Sequence, residues 1–146
     1  MIVYKVVEKK TRKGSNWLLA KLEARRKIIP FPLKIMQKHR EFYPSYFRGR
    51  TIRAVPGSQG IFCFQKHEEA ERFITYYDLQ HRAQIIRLKG IGEPNLKPRF
   101  LPQVGTVTLR KNLIELYSLD TTNYRPLNVY SIPAGNCTFR EVEVLD

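Results

Sequence analysis

Cysteine is scarce in this 146-residue chain: Cys63 and Cys137 stand alone, with no CxxC spacing. Each lies in an apolar, strand-like stretch where a reduced, buried thiol behaves as a small hydrophobe, a usage that fits a reducing cytoplasm. Acidic residues are also few, 13 Asp and Glu against 26 Lys and Arg, for a net charge of +13. A pI near 10.0 excludes an acidic or cation-coordinating protein as the default and makes an anionic partner the first expectation. Long hydrophobic runs are missing, so no stretch of about 18 apolar residues is there to cross a membrane. The first eight residues, Met1 to Glu8, alternate and then turn charged, which reads as a strand and not as a signal peptide. Asn136-Cys137-Thr138 satisfies the glycosylation pattern, but without a secretion signal we read it as coincidence.

What is present can build a core. Hydrophobic residues make up 42% and aromatics 12%, with eight Phe and eight Tyr, which is apolar material that disordered chains lack. The length fits a single domain over 1–146. The charge is segregated: residues 1–53 carry fifteen Lys and Arg against Glu8, Glu23 and Glu41, whereas residues 54–146 are nearly balanced. Segregation of this kind puts a positive field on one region, and the basic, proline-interrupted segment at about 25–53 is its centre. Aromatics interleave with the basic groups at Trp17, Phe31, Phe42, Tyr43, Tyr46 and Phe47. Cations beside rings are what a surface for RNA or single-stranded DNA requires. The bland alternative is that the rings belong to the core and the cations form a solvated rim.

Periodicity predicts an α+β fold, a mixed and mainly antiparallel sheet packed by one main helix. That helix runs from about His67 to Gln80, where Ala70, Phe73, Ile74 and Tyr77 make one stripe and Glu68, Glu69 and Glu71 suit the positive end of its dipole. Before it, Ile61–Phe64 reads as a buried strand; after it, Ala83–Leu88 reads as another, an order that could build a parallel crossover. Phe62, Phe64, Phe73, Ile74, Ile86 and Leu88 are expected to form the main core. Asn16–Leu22 fits a second hairpin strand or a short helix. Pro30, Pro32 and Pro44 leave room for a second short helix near 33–42. Strands are further expected at 105–110, 113–119, 127–132 and 137–145.

At Tyr4-Lys5-Val6-Val7, at Gly57 to Phe64 and at Glu69-Ala70-Glu71-Arg72-Phe73, the chain resembles small uncharacterised proteins of phages and prokaryotes. Those share a "YKVV" strand, a "GIFCF"-like strand, a helix carrying "EAERF" and a strand like Ile85-Ile86-Arg87-Leu88. The resemblance covers about residues 1–92, is most specific over 57–73, and implies a fold but no activity. Residues 28–53 depart from the short loop expected there, and 93–146 are unmatched.

Several constellations have chemical readings. Glu141-Val142-Glu143 looks like the E-x-E pair of arginine-directed ADP-ribosyltransferases, and that resemblance implies that Glu143 holds a ribose hydroxyl of NAD while Glu141 helps the acceptor attack. Period two puts both carboxylates on one face, but the same geometry also fits Val142 and Val144 pointing inward with the glutamates in water. Tyr4-Lys5 stands where those enzymes carry a first-strand Arg or His, and no Ser-Thr-Ser strand is present. His39, His67 and His81 have no metal-ligand spacing. Cys63, between two phenylalanines, is expected to stay a thiol. Gly57-Ser58-Gln59-Gly60 has the GxxG form of KH domains but is followed by a strand, so it reads as a turn.

Sequence therefore points to a non-enzymatic, cytoplasmic binding protein that needs no metal or cofactor. Lys34, Lys38, Arg40, Arg48, Arg50 and Arg53 are the expected phosphate contacts, and Tyr43, Tyr46 and Phe47 the expected stacking rings. The other readings are an NAD-using transferase built around Glu141 and Glu143, and a phage or host-interaction protein that docks an acidic protein.

Overall fold

In the computed structural model, which describes residues 1–15, 17–18, 40–58, 60–98 and 135–146, the alternation of the first residues becomes strand β1 (Ile2–Glu8). Its period of two sends Val3, Lys5 and Val7 to one side and Tyr4, Val6 and Glu8 to the other. A turn at 9–12 follows, closed by hydrogen bonds from the Glu8 N–H to the Lys13 carbonyl and from the Arg12 N–H to the Glu8 carbonyl, each 2.8 Å. Ser15, Trp17 and Leu18 have helical backbone; the rest of the 16–22 expectation lies outside the described residues.

Five more strands complete the sheet among the described residues: β2 (Thr51–Arg53), β3 (Ile61–Phe64), β4 (Ala83–Ile91), β5 (Asn136–Phe139) and β6 (Glu141–Val144). Helix α1 (His67–Tyr76) joins β3 to β4. The order across the sheet is β2-β6-β4-β1-β3-β5, and every paired neighbour is antiparallel. The strand, helix, strand crossover is thus split. β3 and β4 run parallel to each other because each is antiparallel to β1, which lies between them.

Chain connectivity curls this sheet. β5 and β6 sit four places apart in the order, yet Arg140 alone separates them in sequence. The single strand expected at 137–145 is therefore a strand bent at Arg140, which pairs with β3 before the bend and with β4 and β2 after it. Curling gives two apolar compartments. Val3, Val7, Ile52, Ile61, Cys63, Ile86, Leu88, Cys137, Phe139, Val142 and Val144 fill the concave side together with Tyr46. Val6, Phe64 and Ala83 lie on the other face, covered by Ala70 and Phe73 of α1, by Leu79 and by Leu18. The six residues expected to share one core are thus divided. Ile86 and Leu88 face the concave side, Phe64 and Phe73 lie under the helix with Ile74 half-buried beside them, and Phe62 is half-buried.

Helix α1 is shorter than expected. It stops at Tyr76 because Asp78 turns left-handed, with φ of 55°, and Leu79 and Asp78 donate back to the carbonyls of Ile74 and Thr75. This is a Schellman cap, with buried Leu79 as its hydrophobic anchor. Of the second helix expected near 33–42, the described part is a single 3-10 turn at Arg40–Phe42; the remainder, and the strands expected at 105–110, 113–119 and 127–132, lie outside the described residues.

Candidate functional site

Backbone pairing fixes the arginines of the basic segment. The Gly49 N–H donates to the Val144 carbonyl (2.8 Å) and the Val144 N–H to the Arg50 carbonyl (2.9 Å), so the turn carrying Arg48 and Arg50 is stitched onto β6. β2 continues that pairing with Ile52 against Val142 and Arg53 against Glu141. Burial of Ile52 anchors the strand, and Thr51 and Arg53 point to solvent on either side of it. Arg48, Arg50 and Arg53 are all exposed. Arg50 donates to the Ser45 carbonyl at 3.3 Å, and the Arg53 Nε is 3.5 Å from Glu141.

Segment 43–47 gathers further cations. The Tyr46 N–H donates to the Arg12 carbonyl at 2.9 Å, and the Arg12 Nε donates to the Tyr46 carbonyl at 2.7 Å. The Arg12 guanidinium lies 6.0 Å from the centre of the Phe47 ring, and Lys13 donates to the Tyr43 carbonyl at 2.6 Å. Burial, and then the neighbouring Arg40, push the Lys13 ammonium below its ordinary pKa. Arg40 is exposed at the start of the 3-10 turn. Arg12, held in a left-handed conformation at φ 59°, is a member of this cluster that sequence reasoning missed, because nothing in residues 9–13 announces that the turn folds back onto residue 46.

The three rings expected to stack bases separate. Tyr43 and Tyr46 are 6% and 4% exposed and belong to the interior, which removes them as open platforms; Phe47 is 49% exposed. The physical reason is local. The 43–46 stretch is bridged to residue 13 through Ser45, which turns Tyr46 onto the concave core and Tyr43 toward Trp17, 5.8 Å away. Of the phosphate-contact residues, Arg40, Arg48, Arg50 and Arg53 are exposed, and Lys34 and Lys38 lie outside the described residues.

Glu141 and Glu143 share the outward face of β6, with Val142 and Val144 buried on the other. Their cross-strand neighbours are Arg53 and Ile91 for Glu141, and Thr51 and Lys89 for Glu143. Tyr4 makes an edge-on contact with His67 at 5.4 Å, and His67 pairs with Glu71 at 2.6 Å. Among the described residues, no group of three His, Cys, Asp or Glu could hold a metal ion. Of the GxxG stretch, Gly57 and Gly60 have positive φ, 80° and 115°, as a turn requires, and Gly60 lies against Thr138 and the Phe139 backbone. Cys63 and Cys137, distant in sequence, lie directly opposite each other on β3 and β5. Burial pushes their thiols up to about 12 and about 11. No helix among the described residues is long and apolar enough to cross a membrane.

Comparison with models of known families, with curated proteins and with solved structures finds no match for this chain.

Proposed function

We propose that the protein binds an anionic partner without performing chemistry on it, and that the partner is single-stranded nucleic acid, RNA or DNA. The observation that carries this reading is the row of exposed arginines, Arg48, Arg50 and Arg53, held by backbone pairing along a turn and a sheet-edge strand beside the exposed ring of Phe47. Arginine forks on a rigid support suit phosphate oxygens, and an exposed ring beside them suits an unpaired base. Arg40 and Arg12 extend the positive field on the same segment, with Lys34 and Lys38 as further expected contacts.

Titration against an unstructured oligonucleotide at several salt concentrations tests it. Six engaged cations give a slope of log affinity on log salt near −4, at about 0.7 per phosphate for single strands. Reversing Arg48, Arg50 and Arg53 to Glu should remove about 2 from that slope and weaken all sequences alike. Phe47→Ala should weaken binding by about 1–3 kcal/mol if that ring stacks a base. A slope near zero overturns the reading. Consumption of NAD would favour a transferase built on Glu141 and Glu143, and nuclease-resistant capture of an acidic protein would favour protein docking.

A further inference from the structure

Lys5 breaks the pattern of its own strand. It points to the concave side between Val3 and Val7, which are both fully buried, at a position where period two calls for an apolar side chain. β1 is bridged to β3 at Tyr4 and Phe64, but at Val7 it is bridged to Gly14 instead. Lys5 reaches into the gap this leaves. Its Nζ donates to the Phe62 carbonyl at 2.7 Å and lies 4.9 Å from the centre of the Tyr46 ring. Gly14 makes room for the stem: a Cβ there would lie 3.3 Å from the Lys5 Cε. Among the described residues no carboxylate forms an ion pair with this amine.

A cavity of about 80 Å³ opens in the same gap, with Lys5 in its wall among Val6, Tyr46, Ile61, Phe62 and Phe73. Among the described residues the charged and titratable groups around the amine are Tyr43 and Tyr46 from the 43–46 segment, Cys63 from β3, and Glu41 and Arg53 in the cavity wall. Burial, only partly opposed by the neighbouring Cys63, pushes the Lys5 amine below its ordinary value and so toward its neutral, nucleophilic form, with no ion-paired carboxylate on it among the described residues.

We propose that this cavity is a binding site for a small aldehyde or ketone, which Lys5 captures as a Schiff base. The neutral amine attacks the carbonyl carbon and a C–N bond forms. The carbinolamine then loses its oxygen as water, taking up the two amine protons and leaving the imine, with no change of oxidation state. The capture does not rest on the anion-binding reading, although Arg53 belongs to both the arginine row and the cavity wall.

Propionaldehyde with cyanoborohydride, which reduces the imine to a stable alkyl-lysine, tests the site on the full chain. Alkylation is quantified residue by residue by peptide mass spectrometry at about pH 6 and about pH 9, between which the small neutral fraction of an ordinary lysine amine, with a reference pKa near 10.4, rises about a thousandfold. Lys5 is expected to react at least tenfold faster than Lys9, Lys10 and Lys89 at the lower pH, with a rate that saturates as aldehyde rises. A bulky aldehyde such as naphthaldehyde is expected to lose that advantage. Lys5→Met should abolish the fast phase while leaving the other lysines unchanged. Reaction of Lys5 no faster than its neighbours, or a rate strictly linear in aldehyde, overturns the proposal.

Discussion

Gly90 and Phe139 show how closely single residues are fitted. Any Cβ at Gly90 would overlap the Phe139 ring, which reaches the glycine from a strand three places away. Gly90→Ala should therefore destabilise by about 1–3 kcal/mol through overpacking, and Phe139→Leu in the same chain should recover part of the loss; denaturant midpoints of the two singles and the double would show the coupling. The cysteines make a second prediction, in pH. Unfolded thiols ionise near their ordinary value of 9.0, whereas the folded ones hold their protons to about 12 and about 11. The native state binds more protons in that window, so stability falls as pH rises above 9, by up to about 1.4 kcal/mol per pH unit for each thiol. Lys5 acts the other way. Its folded value lies below 10.5, so the unfolded state binds more protons there and stability rises toward that pH. Replacing both cysteines by Ala should turn an alkaline decline into a flat or rising curve, as read from urea midpoints between about pH 8 and about pH 10.5.

At the scale of elements, α1 is where sequence and structure meet most closely. Three of its four stripe residues, Ala70, Phe73 and Ile74, were legible because period 3.6 had to be satisfied against one face, and Phe73 packs 5.5 Å from Phe64 between ring centres, whereas Tyr77 lies past the end of the helix and is exposed, 4.8 Å from Phe73. Phe73→Ala should cost about 3–5 kcal/mol of unfolding free energy. The end of α1 was not legible, because the left-handed cap residue is Asp78 and not glycine, so nothing in the letters marks the stop. Asp78→Gly should then stabilise by several tenths to about 1 kcal/mol, since glycine adopts that conformation without strain; a lower melting temperature in this variant would show that the Asp78 side chain has a role of its own. β1, β3 and β4 were readable from alternation and apolar runs, but pairing was not, because register depends on partners far away in sequence. Cys63 opposite Cys137 and the bend at Arg140 are of that kind. The candidate site was readable only as composition. The row Arg48, Arg50 and Arg53 is exposed, whereas Tyr43 and Tyr46, identical in appearance to surface rings within a basic segment, are claimed by the interior.

For the whole molecule, the bend at Arg140 ties fold and candidate surface together. The Arg140 guanidinium donates to the carbonyls of Ser58 and Val55, and its own carbonyl accepts from the Ala54 N–H at 2.8 Å. The corner that lets β5 continue into β6 therefore also holds the loop leaving β2, and with it the strand that presents Arg53. Closure of this kind should make the two ends of the sheet one cooperative unit. An open sheet would let β5, at its end of the order, fray independently of β6, with local free energies well below that of global unfolding. A sheet locked by Phe139 over Gly90 and by Arg140 at the corner cannot release β5 without disturbing β6 and β4. Native-state hydrogen exchange separates the two. Amides of Cys137 and Phe139 on β5 should show the same opening free energy as those of Val142 on β6 and Val6 on β1, and Arg140→Ala should lower all of them together. Early exchange of β5 alone would mean that the sheet opens at its β3–β5 edge, and that the arginine row does not depend on the corner for its support.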